Sequence, residues 1–142
     1  MAYAVALDTN VVLDLWHFDD AEARELRVLI EGGALQVLTS RALDDELKDV
    51  LSRAQFMASR ETVERHWRAF ALPVEVSTVA AWTCRDPDDQ KLLDLAVSAP
   101  AAALITKDRA LLALARRAAA TLLIATPKQF LADRPDDAAG PG

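Results

Sequence analysis

The chain has 142 residues, 52% apolar and 27% charged, with a net charge of −6. This is the composition of a soluble globular protein long enough to bury a core, and its acidity argues against a non-specific nucleic-acid coat, which is basic. The single cysteine, Cys84, excludes an internal disulfide and a thiolate metal cage; no apolar run is long enough for a membrane helix, and no basic segment precedes the first one as in a signal peptide, so a reducing cytoplasm is the expected compartment.

In chain order, residues 3–8 read as a strand and 10–32 as a helix or helix pair. A strand at 35–39 leads into a helix from Ser40 to Arg53, followed by a helix over Ser59–Phe70 and a weak strand at 74–77. Asp86-Pro87 opens a helix through Ser98, with Pro at its first position behind a capping carboxylate. Residues 102–106 form a strand, Asp108–Ala119 a helix, 122–125 a last strand and 127–132 a short helix. Such alternation implies an α/β fold with a mostly parallel sheet between helical layers. Only the tail at 133–142, rich in Pro, Gly and Asp, has a disordered composition.

In open α/β sheets ligands bind beyond the carboxyl ends of the strands, which directs attention to acids there. Asp8 directly follows the first strand, in "AVALDTNVVL"; a plain helix cap by Asp8 or Thr9 explains it equally well. Asp108 repeats the placement in "ALITKDRALL", where a cap is the simpler account. Asp89 differs. Leu92, Leu93 and Ala96 lie three, four and seven residues after it, so at about 100° per residue it falls on the apolar stripe of its helix. In "SRALDDELKDVLSR", Leu43, Leu47, Val50 and Leu51 form the buried stripe, and Asp44 and Glu46 flank it on opposite edges. Periodicity does not choose between them.

Carboxylates brought together repel unless something neutralises them, and an oxygen-only ligand set points to Mg²⁺ or Mn²⁺ rather than Zn²⁺. His17 and His66 sit in polar helical contexts and read as surface residues, while Trp67 and Phe70 in "ETVERHWRAF" read as core. No Gly-rich phosphate loop exists, the four glycines standing at 32, 33, 140 and 142. A phosphatase with an aspartyl nucleophile would want an acid two residues after Asp8, where Asn10 stands.

The segments "VALDTNVVLDLW", "LTSRALDDELKDVLSR", "CRDPDDQKLLDLAVSAPAAALITKDRALLAL" and "IATPKQFL" resemble, in order and spacing, the PIN-domain family, and within it the toxins of toxin–antitoxin pairs. The resemblance spans residues 3–132. It implies one PIN-like nuclease domain over 1–132 built as a three-layer α/β/α sandwich, with an acidic pocket binding Mg²⁺ or Mn²⁺ and hydrolysing phosphodiesters, most often of RNA. By position it assigns Asp8, Glu46, Asp89 and Asp108 as catalytic and metal-binding residues, with Asn10, Thr106 and Ser40 in support. Lys107, Arg109, Lys91 and Arg53 are candidate phosphate contacts by proximity to these motifs. Lys107 stands where the family often has Gly, and Ala110 where it often has a second acid. The family also implies a small antitoxin covering the acidic groove and a homodimer. A non-catalytic PIN-like module that binds RNA or protein is the rival reading.

Overall fold

The computed structural model describes residues 3–133, so the expected tail lies, from residue 134 onward, outside the described residues. Among the described residues five strands, β1 (Tyr3–Leu7), β2 (Leu35–Thr39), β3 (Ala71–Pro73), β4 (Ala103–Ile105) and β5 (Leu123–Ala125), form one sheet in the order β3-β2-β1-β4-β5. Every pairing is parallel. The helices are α1 (Thr9–Trp16), α2 (Ala21–Glu31), α3 (Arg41–Leu51), α4 (Arg60–Phe70), α5 (Gln90–Ser98), α6 (Arg109–Leu112), α7 (Ala115–Ala118) and α8 (Pro127–Asp133).

Side chains alternate across each strand, and here both faces are apolar, as a sheet covered on both sides requires. Val5, Leu7, Val37 and Ile105 pack with α1, α2, α4 and α8 in one core. Ala6, Leu38, Leu104 and Ile124 pack with α5, α6 and α7 in the other. The molecule is therefore the three-layer α/β/α sandwich that the sequence implies. Strand order runs outward in both directions from β1, so the boundary between β1 and β4 is the point where the chain reverses and a crevice opens. No helix among the described residues is long and apolar enough to cross a membrane.

Several elements differ from expectation. The weak strand at 74–77 does not form; β3 comes immediately after α4, with Val37, Leu38 and Thr39 opposite Ala71, Leu72 and Pro73. The Gln36 side-chain amide donates to the Phe70 carbonyl at 2.9 Å and so starts the pairing three residues early, and Pro73 is tolerated because β3 is an edge. The expected helix over 108–119 is broken into α6 and α7, with the Leu114 N–H turning back to the Leu111 carbonyl at 3.0 Å. Pro87–Asp89 is a tight 3₁₀ turn before α5. The two histidines are not free surface residues. His17 packs edge-on against Phe18 and Phe56, and His66 stacks on Trp16 at 5.5 Å. Trp67 is buried and Phe70 packs against the core, as expected.

Candidate metal centre

The carboxyl ends of β1 and β4 lie side by side, and Asp8 and Thr106 are the residues that leave them. Asp8 occupies the backbone position of a cap for α1, yet its side chain makes no cap bond. Its Oδ2 instead accepts the Thr106 hydroxyl at 2.8 Å. Thr106 is completely buried, and its Oγ1 also accepts the Asp108 N–H at 3.0 Å. One hydroxyl thus ties the first strand end to the start of α6. Asp108 does cap that helix, accepting the Ala110 N–H at 2.7 Å, so the simple reading of Asp108 holds without removing it from the cluster.

Asp89 closes the group from the other side. Oxygens of Asp86, Asp89 and Asp108 lie within 4.8 Å of one another, and ligand oxygens around an octahedral Mg²⁺ or Mn²⁺ are roughly 3–4 Å apart. Among the described residues, Asp89 Oδ2 is the buried side-chain atom with no hydrogen-bond partner. An orphaned carboxylate oxygen is costly in a folded protein, and a hard cation would satisfy it. Burial, then the charges of Asp108, Asp8 and Asp86, push the Asp89 carboxyl up to about 7. Asp8 is also raised, first by burial; the Thr106 hydrogen bond and the Asn10 backbone N–H oppose the shift, and the charges of Asp108 and Glu46 add to it. The donor set and its electrostatic strain both fit a divalent cation.

The structure separates the two acids that periodicity left level. Glu46 lines the same cleft of about 780 Å³ as Asp8, Asp89 and Asp108. It accepts the Thr9 hydroxyl and pairs with Lys91 at 2.6 Å. Asp44 turns to the opposite side of α3, where its Oδ1 accepts the Thr39 hydroxyl at 2.6 Å and the Trp67 indole N–H at 2.8 Å.

The remaining candidates divide. Asn10 lines the cleft with an exposed side chain, and it bears on Asp8 through its backbone N–H rather than its amide. Ser40 caps α3, accepting the Leu43 N–H at 3.3 Å, and lines a neighbouring cavity instead of the cleft. Of the four basic candidates, Lys91 and Arg53 line the cleft; Lys107 pairs with the buried Asp14, and Arg109 is exposed outside the lining.

Three features escaped the sequence reading. Asp86 reads as a cap and is one, accepting the Asp88 N–H at 3.0 Å, but it also stands within ligand distance of Asp89 and Asp108. Asp14 is buried inside α1 and pairs with the half-exposed Lys107; an acid between Leu13 and Leu15 was the available signal. Gln90 and Asp94, polar residues of α5, hold the segment before the 3₁₀ turn. Gln90 accepts the Cys84 N–H and donates to the Trp82 carbonyl, Asp94 accepts the Ala80 N–H at 2.8 Å, and Ser98 accepts from Ser77 and Thr78. Their spacing of four residues along α5 was the available clue.

A family model described as "PIN domain" matches residues 4–110. Among solved structures, a chain of "VapBC2 from Rickettsia felis bound to a DNA fragment from their promoter" superposes with a TM-score of 0.62 at 12% identity, over 85% of this chain and 96% of that one. At that identity the likeness is one of fold. No curated protein matches.

Proposed function

The chain belongs to the PIN domain family, and from that premise we propose that it is a metal-dependent ribonuclease acting as the toxin of a toxin–antitoxin pair. The observation that carries the chemistry is Asp89 Oδ2, buried and unpartnered among the carboxylates of Asp8, Asp86 and Asp108. Asp8, Asp89 and Asp108 would hold Mg²⁺ or Mn²⁺, with Glu46 at the edge of the set. A divalent cation supplies an activated water and charge neutralisation for phosphodiester hydrolysis.

The chain's own residues prepare the site. Thr106 fixes the orientation of Asp8, and its burial keeps water from competing for that oxygen. Ser40 contributes at a distance by starting the helix that carries Glu46. Arg53, at 4.0 Å from Asp49 and 57% exposed, is a cation on the cleft wall free to turn toward a phosphate. Lys107 and Arg109 lie outside the lining; in this reading they meet only a longer stretch of RNA. The fold neighbour is VapBC2 bound to promoter DNA, which favours a small antitoxin partner for this chain. A cytoplasmic homodimer belongs to the same reading.

The test is cleavage of single-stranded RNA by the full chain across a Mn²⁺ titration, with Asp89→Asn beside the wild type. Metal-dependent cleavage lost in the variant, with its circular dichroism unchanged, is the expected result. RNA bound but never cut at any metal concentration would replace the nuclease with the binding-module reading.

A further inference from the structure

The acids of the cleft are not equally available. Asp89 keeps an unpartnered oxygen, and Asp86, Asp89 and Asp108 stand at ligand distance from one another. Glu46 is not in that group, and both of its oxygens are taken by the chain itself. The Thr9 hydroxyl donates to Oε2, and the Lys91 ammonium pairs with Oε1 at 2.6 Å. Both partners of the ion pair are partly buried, with side-chain exposures of 26% and 28%. Lys91 follows Asp89 by two residues on the first turn of α5, so the backbone that presents the free carboxylate also presents the ammonium.

We propose that the site takes a single divalent cation, held among Asp8, Asp89 and Asp108, and that the Lys91 ammonium stands permanently where a second cation would meet Glu46. The inference rests on the metal-dependent reading above and specifies its stoichiometry. A second divalent ion ligated by Glu46 would have to displace Lys91 from a contact-distance pair, or sit beside it. The latter repulsion is twice that of two unit charges at the same separation. Lys91 is in this account a positioning residue. It holds Glu46 against Thr9 and α1, and it supplies one fixed positive charge to a cleft lined by many more acids than bases.

The experiment counts ions. Wild-type chain stripped with EDTA is titrated with MnCl₂ by calorimetry at neutral pH, and the bound Mn²⁺ is examined by electron paramagnetic resonance. The wild type should bind one Mn²⁺ per chain with no exchange-coupled signal. Lys91→Met should bind two, and Lys91→Met with Glu46→Gln should return to one. Lys91→Arg, which keeps the charge, should stay at one, and thermal melts establish that each variant is folded. Two ions in the wild type, or one in folded Lys91→Met, overturns the proposal and leaves the nuclease reading standing. No Mn²⁺ bound by the wild type at millimolar concentration overturns both.

Discussion

The Thr106 hydroxyl donates to Asp8 Oδ2 at 2.8 Å, joining residues 98 positions apart at the ends of adjacent parallel strands. Asp8 is only 7% exposed, so this bond is a main compensation for burying its carboxylate. Thr106→Val removes the hydroxyl at nearly constant volume. Leaving a buried acceptor short of its donor costs about 1–3 kcal/mol, and the Asp8 carboxyl should rise further. A lower melting temperature and weaker Mn²⁺ binding are expected, with Thr106→Ser recovering most of both; calorimetry and metal titration measure them.

Asp89 gives the metal-free protein a pH dependence with a definite sign. Its carboxyl is raised to about 7 in the folded chain, against about 4 when unfolded. The group's contribution to stability is therefore complete below about pH 4 and is lost as pH rises through about 7. Asp8, also raised, acts in the same direction. Since Asp89 is half-exposed and solvent screens it, the loss is on the order of 1 kcal/mol. In EDTA the wild type should melt lower at pH 8 than at pH 5, and Asp89→Asn should melt above the wild type at pH 8 only. A wild type that melts higher at pH 8 would refute the electrostatic account of the cluster.

The same protonation competes with metal. Ligation needs the carboxylate ionised, so below about pH 7 the apparent Mn²⁺ affinity should fall roughly tenfold per pH unit and level off above it. Titrations across that range read the slope directly. A flat profile would mean that Asp89 takes no part in binding.

Much of this architecture was visible in the chain, for identifiable reasons. Strands buried on both faces appear as apolar runs, so β1, β2, β4 and β5 stand out, while β3 is a three-residue edge whose register is set by Gln36, an amide in another strand. The placement of Asp8 and Asp108 beside one cleft was legible because ligands meet an α/β sheet beyond its strand ends; Asp89 was legible from its spacing to Leu92, Leu93 and Ala96, although it ends the 3₁₀ turn instead of lying inside α5. The choice between Asp44 and Glu46 was not legible from periodicity. It depends on which neighbour each edge of α3 meets, Trp67 on one side and Thr9 on the other. The partners of Lys91 and Lys107 were hidden for a related reason: long flexible side chains reach residues whose proximity only the tertiary fold creates.

The polar stripe of α5 predicts an effect transmitted to the site from outside it. Asp94 accepts the Ala80 N–H, and Gln90 holds the backbone at Cys84 and Trp82, just ahead of Asp86. Asp94→Ala should cost about 1 kcal/mol of stability and speed amide exchange over residues 78–84. It should also weaken Mn²⁺ binding several-fold, because the 3₁₀ turn bearing Asp86 and Asp89 begins where that segment ends. Faster exchange without any change in affinity would show the turn to be held by α5 alone.

Asp44 and Glu46 lie two residues apart on one helix and should respond to mutation in opposite ways. Asp44 receives two hydrogen bonds on one oxygen, from Thr39 and Trp67, and lies outside the acidic cleft. Asp44→Ala leaves the buried indole N–H of Trp67 and the Thr39 hydroxyl without that acceptor, a loss of about 1–3 kcal/mol, while Mn²⁺ affinity and RNA cleavage stay near wild type. Glu46→Gln keeps the shape and an acceptor for Thr9 but removes the charge that holds Lys91, freeing an ammonium beside the metal ligands. Stability should change little, since a partly exposed ion pair contributes about 1 kcal/mol or less, whereas cleavage should fall at least tenfold. Paired melts and cleavage assays on the two variants separate these outcomes. If the effects were exchanged, the acid serving the cleft would be Asp44 and the orientation of α3 described above would be wrong.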